Sequence, residues 1–177
     1  MLHAIKERKI LQFQYESYVQ QNVTEIVGEP YILKEFRYRW YILLKNLKTS
    51  LIHTYALERI SNLMVTSQTF QYPTDLKTDD FFRNSYGITY TPNDAPVSVV
   101  LSCSPVQAKY LESLPLHHSQ QIVSRSEEEV IVSLKLCITH ELYMELLSMC
   151  DCVSVVEPLS LRHDIQSALE LGLSYYG

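Results

Sequence analysis

The segment Tyr86-Gly-Ile-Thr-Tyr-Thr-Pro-Asn-Asp-Ala-Pro96 most constrains how this chain can fold. Two prolines, a glycine and an Asn-Asp pair in close succession interrupt both helical and strand periodicity. The 177 residues are therefore expected to form two modules, residues 1–90 and residues 95–177, with a boundary near 90–95. Charge divides the same way. Residues 1–90 hold 11 Lys+Arg against 9 Asp+Glu, a balance of +2, whereas residues 91–177 hold 4 against 11, a balance of -7. Such a contrast suggests modules with different partners. With 46% hydrophobic and 20% charged residues, the chain has material for packed cores, which excludes disorder.

Several function classes fall away on composition alone. The four glycines (Gly28, Gly87, Gly172, Gly177) are few against an average near ~7%. None is spaced as GxGxxG or GxxxxGK[ST], so neither a Rossmann dinucleotide site nor a P-loop is present. Of Cys103, Cys137, Cys150 and Cys152, only the last two lie close, and no second pair completes a zinc cage. No metal or cofactor is expected. Apolar runs such as Trp40–Leu44 fall far short of the ~20 residues a membrane helix needs. Met1–Lys9 carries three basic residues and no apolar core, so no secretory signal is expected, and reduced thiols in the cytoplasm are the default.

The first half reads as strands. After a short helix over Leu2–Lys9, apolar residues at Ile10/Leu11, Phe13 and Tyr15 alternate with Gln12, Gln14 and Glu16, the period of a half-buried strand. A second strand is predicted over Val23–Val27, bent at Gly28-Glu29-Pro30 and continuing to Leu33. A third covers Phe36–Lys45, a fourth Leu51–Leu57 and a short fifth Asn62–Thr66, with a polar turn at Asn46–Ser50. Short strands with tight connections and one leading helix suggest a small barrel of SH3 or Sm type.

The third strand bears the chemistry. Strict alternation puts Phe36, Tyr38, Trp40, Ile42 and Leu44 on a core face and Arg37, Arg39, Tyr41, Leu43 and Lys45 on the other. Between Lys34 and Lys48 five basic residues face a single acid, Glu35. Arginine forks suit phosphate or carboxylate, and a tyrosine can stack on a base, so this row could grip a nucleotide or single-stranded nucleic acid. A solvated face carrying charges against edge-to-edge aggregation is the plain alternative.

Three motifs in register favour the first reading. Pro30-Tyr-Ile-Leu33, Arg39-Trp-Tyr-Ile42 and His53-Thr-Tyr-Ala-Leu-Glu-Arg-Ile60 resemble the marks of the WYL-domain family. Those marks are a Pro-Tyr-x-Leu lead-in, the Trp-Tyr-Leu strand motif and an Arg-x-Phe-x-Leu-Asp-Arg-Ile segment. They span roughly residues 10–66. Tyr41 matches the motif tyrosine and Arg59 the arginine before the last isoleucine, while Glu58 replaces aspartate. The sequence departs from the pattern at His53, where an arginine is typical, and at Ala56, where a second basic residue often lies. An arginine usual before the lead-in is missing near Thr24 and Glu25.

The second half reads as strand Val97–Cys103, helix Pro105–Glu112, loop Pro115–Gln120 and strands Gln121–Arg125 and Val130–Cys137. Helix His140–Met149, strand Cys152–Val156 and helix Leu159–Tyr175 complete it. This is the ferredoxin-like βαββαβ order with an added C-terminal helix. Pro115-Leu-His-His-Ser-Gln120 and Glu157-Pro-Leu-Ser-Leu-Arg162 are similar to marks of the WCX extension that commonly follows WYL domains. The expected class is therefore α+β, a WYL barrel joined to a WCX domain.

The resemblance implies the ligand-sensing and oligomerising half of a bacterial transcriptional regulator, without the helix-turn-helix that usually precedes it. It implies a nucleic-acid or nucleotide effector on the barrel, single-stranded nucleic acid favoured, and self-association as a homodimer. The expected ligand residues are Tyr41, Arg39 and Arg37, with Arg59 and His53 at the edge and Lys45 beside them. A non-catalytic interaction module, pairing the basic face with the acidic second half, is the alternative.

Catalysis is not expected. His117-His118 with Ser119 shows no oriented base, His140-Glu141 lacks the second histidine of HExxH, and Cys150-Asp-Cys152 has no partner ligands nearby. Asp79-Asp80 reads as a helix start, and Glu127-Glu128-Glu129 as an exposed turn.

Overall fold

Alternation along the first strand survives folding. In β1 (Lys9–Ser17) Leu11 and Phe13 are buried, Gln14 and Glu16 are exposed and Tyr15 lies between these extremes. The structure, a computed structural model, describes residues 1–74, 77 and 80–177. Asp79, expected to start a helix together with Asp80, lies outside the described residues.

A helix, α1 (Leu2–Lys6), places Ala4 on the same core as β1. Next comes β2 (Asn22–Phe36), 15 residues antiparallel to β1. Its pairing with β3 (Arg39–Asn46) shifts register between Pro30 and Ile32. Proline donates no N–H to a ladder, which makes this a natural place for an irregularity. Gly28 allows β2 and β3 to approach: a Cβ there would lie 2.2 Å from Leu44 Cδ2 and 2.4 Å from the Lys45 carbonyl.

The third strand corrects the expectation of a run from Phe36 with five core-facing residues. Phe36 ends β2, and Arg37 and Tyr38 form a two-residue turn with φ of 50° and 63° before Arg39 pairs back to Phe36. Positive φ at both central residues is the type I′ hairpin geometry, whose twist matches that of the strands it joins. Tyr38 is therefore 100% exposed and Trp40, near the tip, 53% exposed. Only Ile42 and Leu44 of the expected face enter the core, while Leu43 is buried on the opposite side.

After β4 (Ile52–Ala56) a single 3-10 turn, Leu57–Arg59, leads into β5 (Ile60–Thr69). The order is β4-β3-β2-β1-β5, and each pair of neighbours in it is antiparallel. The core beneath this sheet consists of Ala4, Leu11, Phe13, Ile26, Ile42, Leu44 and Tyr55. A separate aromatic cluster gathers on Tyr31, whose ring stacks on Phe81 at 5.9 Å and meets Tyr72 edge-on at 5.1 Å.

The first compact unit is Met1–Phe81 and the second Phe82–Gly177. The division thus precedes the proline-rich segment. Residues following Phe81 are held by the second unit: Cys137 N–H donates to the Asn84 carbonyl at 2.7 Å and Thr139 Oγ1 to the Tyr86 carbonyl at 2.8 Å.

That second unit contains β6 (Val97–Cys103), α2 (Pro105–Ser113), β7 (Gln121–Arg125) and β8 (Val130–Leu136). It ends with α3 (His140–Ser148), β9 (Val153–Glu157) and α4 (Leu159–Ser174). Ser104 caps α2 by accepting the Gln107 N–H, with Pro105 in the first turn, and Thr139 caps α3 by accepting that of Leu142. The antiparallel sheet order is β7-β8-β6-β9. Its core includes Val99, Leu101, Val132, Leu134, Leu142 and Leu161. The molecule is α+β, with two antiparallel sheets and four α-helices among the described residues.

Candidate functional site

Near the end of β1 the alternation delivers Tyr15 to the rim of the first core. There its ring meets Tyr55 of β4 edge-on, with centroids 4.9 Å apart and planes at 88°. Tyr55 in turn meets Phe13 edge-on at 5.6 Å and His53 at 6.2 Å. Beyond Tyr15 the guanidinium of Arg59 lies 4.7 Å from the Tyr15 ring centroid and 4.8 Å from that of Tyr18. The result is a row of rings, His53–Tyr55–Tyr15–Tyr18, with a cation set between the last two.

Polar contacts fix the row. Arg59 Nη2 donates to the Tyr15 hydroxyl, which also accepts the Ala56 N–H at 3.4 Å. Asn46 Nδ2 donates to the Tyr55 hydroxyl at 3.4 Å. Burial raises the pKa of Tyr15, opposed by the Ala56 N–H and the Arg59 charge, and burial likewise raises that of Tyr55. Both phenols therefore stay neutral at physiological pH. The rings offer Arg59 their π-faces and no compensating anion, and its neighbour Glu58 is bonded to Arg39 at 2.9 Å. A guanidinium held in this way still has N–H groups to offer a phosphate or carboxylate.

The expected site residues separate into two groups. His53 opposes core-facing Leu44 across the ladder, and with Arg59 it belongs to the ring row. Arg39, Tyr41 and Lys45 share the other side of β3, where Tyr41 stands opposite Lys34 and Ala56. Arg37 leaves that row because it lies in the hairpin turn, its guanidinium 5.6 Å from the Phe36 ring centroid. Lys45 approaches Glu29 at 3.9 Å, and Glu29 also accepts from the Tyr31 hydroxyl at 2.8 Å. Sequence reasoning missed Tyr15, Tyr18, Tyr55 and Asn46. Tyr15 was visible as the last member of the alternating strand, and Tyr55 lies inside the His53–Ile60 motif.

The histidine loop has a structural explanation. His117 is buried, its Nε2 2.6 Å from the Arg83 carbonyl and its Nδ1 2.7 Å from Ser119 Oγ. Ser119 Oγ in turn accepts the Lys135 N–H at 2.8 Å, so this trio ties the loop to β8 and to the start of the unit. Burial lowers the His117 pKa, opposed by the Arg83 carbonyl. Glu141, beside His140, accepts from Thr89 Oγ1 at 2.9 Å. Among the described residues no group of three or more His, Cys, Asp or Glu side chains could hold a metal ion. Among them, too, no helix is long and apolar enough to cross a membrane.

The solved structures that the chain resembles include the following two. Proteasome accessory factor B/C (PafBC) of Arthrobacter aurescens is 18% identical, with 99% of this chain and 26% of that chain covered and a TM-score of 0.40. A CRISPR Cas-related protein is 9% identical, with 99% and 49% covered and a TM-score of 0.57, a likeness of fold. The chain thus spans about a quarter and about half of their lengths. Among curated proteins no sequence matches it. The WYL domain model matches residues 1–65, which hold β1 to β4 and the ring row, and the WCX domain model matches residues 95–172. The chain is therefore a WYL domain followed by a WCX domain.

Proposed function

We propose that this chain is the ligand-sensing and self-associating part of a bacterial transcriptional regulator, acting in the cytoplasm without catalysing a reaction. Its effector is a nucleic acid or nucleotide, with single-stranded nucleic acid favoured. One observation carries this reading: in the WYL domain, Arg59 is held between Tyr15 and Tyr18 beside Tyr55 and His53. A cation set between the half-buried Tyr15 and the exposed Tyr18, with His53 exposed nearby and Tyr55 buried beneath them, matches the two demands of a single strand, a charge for phosphate and flat surfaces for bases. Arg39, Tyr41 and Lys45 on the other side of β3, with Arg37 in the hairpin turn beyond them, add further basic surface for a longer ligand.

The first sheet we read as an Sm-like barrel. Support comes from the order β4-β3-β2-β1-β5, in which the last strand returns to the first, and from the register shift in the long β2. The second unit we read as ferredoxin-like, supported by the order β7-β8-β6-β9 and by the two helices α2 and α3 placed as in βαββαβ. Binding acts by favouring one arrangement of modules or subunits, which requires different affinities for two arrangements.

Fluorescence anisotropy with labelled single-stranded DNA and RNA at two salt concentrations tests this. The expected result is affinity that falls steeply with salt and is lost in the Arg39→Ala/Arg59→Ala double variant. Absence of binding by the wild type under every condition overturns the nucleic-acid reading. A second reading is favoured by the +2 and -7 charge balances of the two halves: an interaction module whose basic barrel face meets the acidic domain of a neighbour. Loss of ligand binding in a Tyr41→Ala variant, with assembly unchanged, favours the sensor over this module.

A further inference from the structure

The last strand of the WYL sheet is unlike the other sheet edges. β4, β7 and β9 are each five residues long, and β7 and β9 end on a charge, Arg125 and Glu157. β5 is 10 residues long, Ile60-Ser-Asn-Leu-Met-Val-Thr-Ser-Gln-Thr69, with no Asp, Glu, Lys, Arg, Pro or Gly. It pairs with β1 along one side and, among the described residues, with no strand along the other. Sheet edges are normally protected by charge, proline, shortness or bulges. β5 has none of the first three, and its bulges leave the middle of the strand regular.

Its side chains repeat the anomaly. Leu63, Met64 and Val65 are adjacent in sequence and all exposed. Register shifts fall on either side: Asn62 has a φ of 51° between Ser61 and Met64, and extra residues separate Val65 from Thr69. Bulges of this kind limit where a new strand can add. Between them Met64 and Val65 remain in register with Gln12 and Leu11, leaving one short, regular, apolar stretch available.

We propose that this stretch is where two copies of the chain meet: their β5 strands pair antiparallel about a two-fold axis near Met64–Val65, joining the two WYL sheets into one. The proposal rests on the self-association in the function proposed above and supplies its surface. Charge selects the occupant. A nucleic acid needs cations and a charged peptide needs countercharges, and Ile60–Thr69 offers neither. A second β5 brings the same uncharged edge, so no like charges are opposed, and an antiparallel pair is self-complementary and closes as a dimer.

Light scattering on the full chain, with Met64→Lys, Met64→Glu and Met64→Gln, tests this. The wild type and Met64→Gln have the mass of two chains, whereas Met64→Lys and Met64→Glu, each opposing like charges across the axis, fall to one. An equimolar mixture of the Lys and Glu variants recovers the mass of two chains, a rescue that misfolded protein would not show. Charged variants that stay dimeric, or a mixture that stays monomeric, overturn the β5 interface while leaving self-association standing. A wild type larger than a dimer overturns the two-fold pairing. A wild type with the mass of one chain at every concentration overturns self-association itself, and the interface with it.

Discussion

Arg59 has a hydroxyl and two rings for partners, and His117 a carbonyl and a hydroxyl. For His117 the burial of the ring has a measurable consequence. Burial favours the neutral form, so its folded-state pKa lies below the usual 6.5. A depressed histidine pKa contributes stability that is fully present above the unfolded value and is lost as pH falls through the folded one. Thermal unfolding of the second unit should therefore shift to lower temperature between about pH 7 and about pH 5, and a His117→Gln variant should show a flatter profile. An unchanged profile in that variant would assign the acid sensitivity elsewhere. The sequence suggests a structural role for His117 through the likeness of its loop to the WCX pattern, and the hydrogen bonds show what holds its ring. Tyr15 was the reverse case. Alternation placed it correctly on a half-buried strand, but nothing local to it announces a cation 44 residues later in the chain.

At the level of elements, periodicity identified most strands and helices, since burial on one face writes itself into the spacing of apolar residues. β6 and β7 match the expected limits at both ends, and α2, α3 and α4 differ by a residue at one end. The failure at Phe36–Arg39 has a specific cause. A type I′ turn usually announces itself through Asn-Gly or Asp-Gly, and here it is built from Arg37-Tyr38, both held at positive φ. Without the usual residues the alternation seemed to run straight through the turn, which put Phe36, Tyr38 and Trp40 on a core face they do not occupy. Side chains at positive φ cost of order 1 kcal/mol. Replacing Arg37-Tyr38 with Asn-Gly should therefore raise the melting temperature of the first unit by about 4–8 °C, as a differential scan would show. A fall in melting temperature would mean that the Arg37 contact with Phe36 outweighs the backbone cost.

For the whole molecule, charge and composition suggest a boundary near residues 90–95, whereas the compact units divide after Phe81: Tyr86–Pro96 looks like a linker and yet is tied to the second unit at Tyr86 by Thr139. Sequence signals of flexibility describe what the backbone can do alone; a carbonyl captured by a neighbouring helix cap is a tertiary event. With separate cores, the units should unfold in two calorimetric transitions, the second carrying the acid sensitivity of His117. A single cooperative transition at all pH values would show that the cores depend on each other. The half-exposed position of Trp40 beside the hairpin tip has one more consequence. It is the only tryptophan in the chain, so selective excitation sees the WYL domain and nothing of the WCX domain. The protein thus carries its own optical label at the tip of its basic strand, and a ligand reaching that strand can be followed by emission alone, with no dye to alter the surface being probed.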